Sequence, residues 1–128
     1  MAEMPAAEPS DASAPRAEAA ERALAFLTEM SVDIRGGAIL ADGRALAASG
    51  DPAAWGPAAT ALFDAADLAD GRPADHVHVN TEQGEVFGVR ESGFAAVAVT
   101  DRFTLASLIA FDMRAALRDL AGTDGRPA

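Results

Sequence analysis

Apolar residues recur at separations of three and four from Pro15 to Met30, through Ala20, Leu24, Phe26, Leu27 and Met30, which predicts an amphipathic first helix. Pro15 suits the first position of that helix, and Glu18 and Glu21 fall in its early turns, where negative charge complements the helix dipole. From Val32 to Ser49 two apolar runs flank Asp42-Gly43, a dipeptide suited to the positive φ angles of a type I′ turn, so the segment reads as a β-hairpin. Gly36 and Gly37 at its start permit either a bulge or the close approach of a neighbouring helix. Asp51-Pro52 has the form of an N-cap and first turn, and Gly56-Pro57 is expected to interrupt it and restart the second helix at Pro57, running to about Ala69. Ala58, Ala59, Ala61, Leu62, Phe63, Ala65 and Ala66 leave Thr60, Asp64 and Asp67 as the only polar stripe of that helix. A helix so apolar calls for burial on more than one side.

Beyond Gly71-Arg72-Pro73 the period shortens to two. His76 to Thr81 sets Val77 and Val79 against His76, His78 and Asn80, the alternation of a half-exposed, edge-type strand. Turns at Gln83-Gly84 and Ser92-Gly93 separate two further strands, Glu85 to Glu91 and Phe94 to Thr100. The last of these is apolar on both faces and is expected to be central. A final helix, capped by Asp101 or Thr104, runs through Leu120 and ends at Gly122. The fold class is therefore α+β with element order α-ββ-α-βββ-α: one domain over 16–122, a disordered acidic Ala/Pro-rich tail over 1–15, and a second disordered tail over 123–128.

Composition narrows the chemistry. The 128 residues contain no Cys, and every basic residue is Arg. Thiolate metal sites, Cys nucleophiles, Schiff-base lysines and a Walker A phosphate loop are thereby excluded. The net charge of −10 opposes binding to nucleic acid or anionic membrane and favours a basic partner. Residues 1–34 carry 7 acids against 2 Arg, whereas 101–128 carry 4 of each, so the acidity also serves as a solubilising end. Met1 to Pro15 lacks the apolar run of a secretory signal and no segment is long enough to span a bilayer, which gives cytoplasmic as the expected location.

Candidate sites are few. His76 and His78 share one strand face and could supply two metal ligands, with Glu85 or Asp75 as a third, but two partly exposed histidines on a pairing strand is the preferred reading. No Gly-x-Ser-x-Gly elbow occurs, and Asp64 and Asp67 read as a solvated helix face rather than an acid–base pair. No catalytic, cofactor or metal residue is assigned. Trp55, at a broken helix start in a chain with 5% aromatics, is a candidate partner contact or a plug for the end of the sheet.

The stretch Arg35 to Asp51, RGGAILADGRALAASGD, together with the closing helix Leu105 to Leu120, LASLIAFDMRAALRDL, resembles the Roadblock/LC7 family, in particular its bacterial branch. The resemblance covers Asp33 to Ala121 and rests on pattern and order. It implies a Roadblock/profilin-like sandwich, a five-stranded antiparallel sheet flanked by helices, that pairs as a homodimer or heterodimer through the second helix and the third strand. An Ala-rich helix followed by an edge strand suits such pairing on its own terms. The expected interface comprises Ala59, Leu62, Phe63 and Ala66 with His76, His78 and Asn80. Four imidazoles gathered at a two-fold axis would weaken association below a pH of about 6.5. By the same resemblance the function is non-enzymatic: a dimeric regulator or scaffold that binds a small Ras-like GTPase, as activator or adaptor. An arginine finger from Arg44, Arg72 or Arg90 is not expected to be needed. The alternative is a ligand-sensing module with a profilin-like fold, its pocket opened by Gly36, Gly37 and Gly88.

Overall fold

The structure, a computed structural model, describes residues 7–101 and 106–123. In chain order the elements are α1 Ala7–Met30, β1 Ile34–Ala41, β2 Arg44–Ala48, α2 Pro52–Asp70, β3 His76–Asn80, β4 Glu85–Glu91, β5 Phe94–Thr100 and α3 Ala106–Thr123. This is the α-ββ-α-βββ-α order predicted from the sequence, folded as an α+β sandwich. The expected tail residues 1–6 and 124–128 and the candidate cap Thr104 lie outside the described residues.

Two tight turns organise the sheet. Asp42 and Gly43 have φ of 54° and 77°, and Ser92 and Gly93 have 59° and 84°. Both dipeptides thus hold the left-handed pair of angles that a two-residue hairpin needs. They close Ala41 onto Arg44 and Glu91 onto Phe94. The antiparallel strands lie in the order β2-β1-β5-β4-β3, so β5 is central and β3 is an edge, both as its pattern predicted. α1 and α3 cover one face, where Leu27, Ile39, Phe87, Val89, Met113 and Leu117 form the larger core. On the other face α2 packs Ala59 and Phe63 on Ala38, Leu40 and Val97.

Of the two readings left open for Gly36-Gly37 the bulge is realised, and the close neighbour is a strand rather than a helix, since the nearest helix atom, Leu24 Cδ1, stands at an ordinary 3.5 Å from a Cβ on Gly37. The β1–β5 register shifts between Ile34 and Gly36, and a Cβ on Gly37 would stand 2.8 Å from the Val97 carbonyl oxygen.

Three boundaries differ from expectation. α1 starts at Ala7 with Pro15 inside it, so the stretch expected as tail is helical from Ala7. Proline there removes one backbone donor, while its Ala-rich flanks carry strong intrinsic helix preference. α3 continues through Gly122 to Thr123. α2 does not restart at Pro57: it runs unbroken from Pro52, with the Asp51 carboxylate accepting from the Ala53 N–H at 3.0 Å and Gly71 closing the helix at φ 73°. The reason for Gly56 is tertiary. It is buried against the β1–β2 turn, where an added Cβ would lie 2.8 Å from the Gly43 carbonyl oxygen.

That contact decides the sign of a substitution. Gly56→Ala gains about 1 kcal/mol of helix propensity, but the opposing atom is backbone in a constrained turn and cannot rotate away. Overpacking of this kind costs about 1–3 kcal/mol. We expect net destabilisation, read as a lower urea midpoint; a raised midpoint would show that the turn yields.

Candidate functional site

α2 is apolar nearly all round, and its packing divides it into two unlike faces. Gly56, Ala59 and Phe63 are buried against the sheet, and Leu62 and Ala66 are half-buried on the shoulder. Phe63 and Leu62 close over Gly88 of β4, where a Cβ would meet Phe63 Cζ at 2.9 Å. The opposite side presents Ala54, Ala58, Ala61 and Ala65, all exposed, and ends at Leu68, 85% exposed. The interface residues expected on this helix therefore need correction. Ala59 and Phe63 belong to the internal core, and the outward apolar stripe lies half a turn away. The phase is set by Gly56, whose backbone neighbour is the Gly43 carbonyl, a tertiary contact that local pattern does not carry.

The polar stripe is also not simply solvated. Asp67 accepts two hydrogen bonds from the Arg90 guanidinium, at 2.9 and 3.1 Å, and one from the Ala74 N–H at 2.8 Å. Arg90 in turn donates to the Ala74 carbonyl at 3.0 Å and lies 4.3 Å over the Phe63 ring. This knot ties the end of α2, the following loop and β4 together. It also removes Arg90 as a free finger; Arg44 and Arg72 are exposed. The Arg90 hydrogen bond, then that of Ala74, holds the Asp67 carboxyl below the ordinary carboxylate range, against a smaller opposing effect of burial.

A depressed carboxyl stabilises the fold above its unfolded-state pKa and loses that contribution as pH falls through the folded value. We therefore expect Asp67→Asn to lower Tm at neutral pH, with the gap to wild type closing below about pH 4. Thermal unfolding from pH 3 to 7 checks this; a gap that stays constant with pH would assign the loss to packing alone.

β3 presents its outer backbone edge beside α2. Its side chains split by face: Val77 packs with the α2 core, while His78 stacks on Phe87, at 4.3 Å and 11°, on the face of α1 and α3. His78 Nε2 lies 2.7 Å from a carboxylate oxygen of Glu85, which is buried. His76 and Asn80 are exposed. His78 thus faces a carboxylate of its own protomer, which the expectation of imidazoles gathered together did not include. His76, His78 and Asn80 share a face that points away from α2, and the exposed apolar residue on the α2 face of this strand is Val79. No group of three or more His, Asp or Glu able to hold a metal ion occurs among the described residues.

Trp55 is half-buried, and its indole N–H donates to the Ser49 carbonyl at 2.8 Å. Ser49 Oγ accepts from the Gly37 N–H at 3.1 Å. The ring therefore seals α2 against the β2 end of the sheet, the plugging role of the two considered. Neighbouring atoms stand within 3 Å of where a Cβ would lie at Gly37 and Gly88, while Gly36 meets Ser49 and Trp55 at ordinary contact distances. A cleft of about 320 Å³ lies instead between α2 and the two hairpin turns, lined by Asp42, Thr60, Asp64 and Arg90 among others. Among the described residues no helix is long and apolar enough to cross a membrane.

No family model and no curated protein matches this sequence. Solved structures do match its fold. The Roadblock/LC7 domain from Streptomyces avermitilis superposes with a TM-score of 0.67 at 18% identity, over 80% of this chain and 94% of that one. Myxococcus xanthus MglB gives 0.64 at 13% identity, over 83% and 87%. Profilin IB of Acanthamoeba castellanii gives 0.57 at 17%, over 80% and 97%. The fold is thus Roadblock/LC7-like, within an architecture that profilin shares.

Proposed function

We propose that this Roadblock/LC7-like fold is a non-enzymatic dimeric module that binds a small Ras-like GTPase, as activator or adaptor. The observation that carries the reading is the outward face of α2. Ala54, Ala58, Ala61, Ala65 and Leu68 form an exposed apolar stripe, and the uncovered edge of β3, with Val79 exposed, stands beside the same helix. Small side chains let two helices approach closely, and a free strand edge accepts a second strand, so a two-fold axis here would join two sheets.

The chain brings no nucleotide chemistry of its own. It has no Walker A lysine, and Arg90 is committed to Asp67. Any effect on hydrolysis would therefore act by ordering the partner's own switch segments rather than by inserting a catalytic group. The GTPase follows from the likeness to Roadblock domains and from the paired surface such a dimer would present.

The test is a binding and turnover assay with purified Ras-like GTPases, each loaded with GDP or a non-hydrolysable GTP analogue. At least tenfold preference for the GTP-like state, with no hydrolysis by the chain alone, is the expected result. Hydrolysis by the chain alone, or affinity indifferent to the nucleotide, would sink the reading.

A further inference from the structure

The layer of α1 and α3, on the face of the sheet opposite α2, carries most of the large apolar side chains exposed among the described residues. Of the seven large hydrophobic residues exposed among the described residues, Phe26, Met30, Val32, Leu108 and Phe111 belong to this layer or its exit, and only Leu68 and Val79 do not. The two helices run antiparallel. Arg16 near the start of α1 lies over Phe94, and Arg118 near the end of α3 reaches Glu91, the residue paired with Phe94 across the hairpin. A groove of about 600 Å³ separates them. Its floor is small or buried, Ala19 and Ala23 from α1 against Ala115, Ala116 and Leu120 from α3, with Phe26 as its wall and one charge of each sign, Arg22 and Asp119, at its sides. Met30 continues the Phe26 side by one turn, and Leu108 precedes Ala115 by two turns on the same side of α3. Both helices therefore offer large apolar residues at one end and alanines along the middle.

We propose that this groove is a docking site for a cationic amphipathic helix of a partner protein. From Ala19 the groove and its continuation to Met30 span about 16 Å, which accommodates about three helical turns. Alanines in the middle allow a third helix to settle close, and Phe26, Met30 and Leu108 cover its apolar face. The sign of the partner follows from charge. Within the groove Arg22 and Asp119 offset each other, so the balance is set at the apolar end, where Glu29, Asp33 and Asp112 neighbour Met30, Val32 and Phe111 in the chain and Arg35 is engaged by Asp101 at 3.2 Å. The chain as a whole carries −10, so a basic segment is drawn in and an acidic one repelled. This surface is distinct from the outer face of α2 and the β3 edge, so it stands whether or not the GTPase reading does.

The experiment uses the full ¹⁵N-labelled chain and a Leu/Lys amphipathic peptide of about 14 residues. Controls are a scrambled peptide of the same composition and a Leu/Glu counterpart. The expected result is saturable binding with backbone amide shifts confined to α1 and α3. Affinity should fall at least tenfold in Phe26→Ser and separately in Leu108→Ser, with Leu68→Ser unchanged. Phe26 in the groove and Leu108 beyond its end are both half exposed or more, so the variants should keep the wild-type melting temperature within a few degrees, roughly the scatter of surface substitutions. Shifts mapping to α2 or β3, equal binding of the scrambled or acidic peptide, or no binding would overturn the proposal. So would loss of a self-association in Phe26→Ser, which would make a second copy of the chain the occupant.

Discussion

Ala61→Arg is expected to convert a wild-type dimer into a folded monomer. Ala61 is exposed at the centre of the outward α2 stripe, flanked by Ala58 and Ala65 one turn to either side. Across a two-fold axis the substitution acts twice. Each guanidinium occupies space that close helix approach requires, and the two charges face each other. A loss of at least about a hundredfold in dimer affinity, roughly 2.7 kcal/mol, is the expected scale. Within the protomer nothing is disturbed, because the side chain points away from the sheet. Light scattering after size exclusion, at several concentrations and beside far-ultraviolet circular dichroism, separates the outcomes. A monomer that keeps its helical signal places the axis on α2. A wild type monomeric at every concentration, or a variant that remains dimeric, would remove the paired surface on which the proposed function rests.

The choice of Ala61 depends on the packing. Ala59, two residues earlier, is only 5% exposed and rests on Ala38, Leu40 and Val97. Arginine there would bury a charge without a partner and unfold the protomer rather than divide the dimer. Ala66, half-buried on the shoulder, would mix the two effects. A single alanine-rich helix therefore contains sites whose substitution reports on assembly and sites whose substitution reports on folding, separated by half a turn.

What the sequence disclosed follows the range of the interactions involved. Asp42-Gly43 and Ser92-Gly93 were legible as turns because a two-residue turn is determined by its own residues; Asp42-Gly43 adopts the left-handed angles expected of it, and Ser92-Gly93 shares them. β3 and β5 were legible because alternation, or its absence, records how many faces a strand buries. The inner face of α2 was not legible. Apolar residues all round supply no phase, and the phase is set by Gly56 against the Gly43 backbone and by Gly88 beneath Phe63. The tie between Asp67 and Arg90 joins residues 23 positions apart, so local pattern could show only two acids on a helix. His78 was placed on the strand face opposite Val77, but its carboxylate partner, Glu85, arrives from the next strand, which alternation within β3 does not record.

The largest expected loss of stability within the protomer is at Phe87. Its side chain is fully buried at 0% exposure in the core shared by β4, α1 and α3, with Met113 and Leu117 in the same cluster. Phe87→Ala removes the ring and leaves a cavity that rigid strands on either side cannot collapse, at a cost of about 3–5 kcal/mol. Domains of this size have about 5–15 kcal/mol in total, so the variant should be partly unfolded near physiological temperature. A fall in Tm of at least about 10 °C is the corresponding thermal result. The lid over that ring behaves differently. His78 stacks on Phe87 and bonds to Glu85, but its side chain remains 28% exposed, so His78→Ala should cost less, about 2 kcal/mol for one aromatic contact and one hydrogen bond together. Urea denaturation of the two variants side by side measures the ratio. Similar losses would mean that the β3 edge, not the interior of the sandwich, limits the stability of the sheet. The expected difference would leave that edge free to exchange solvent for a second strand with little consequence for the protomer beneath it.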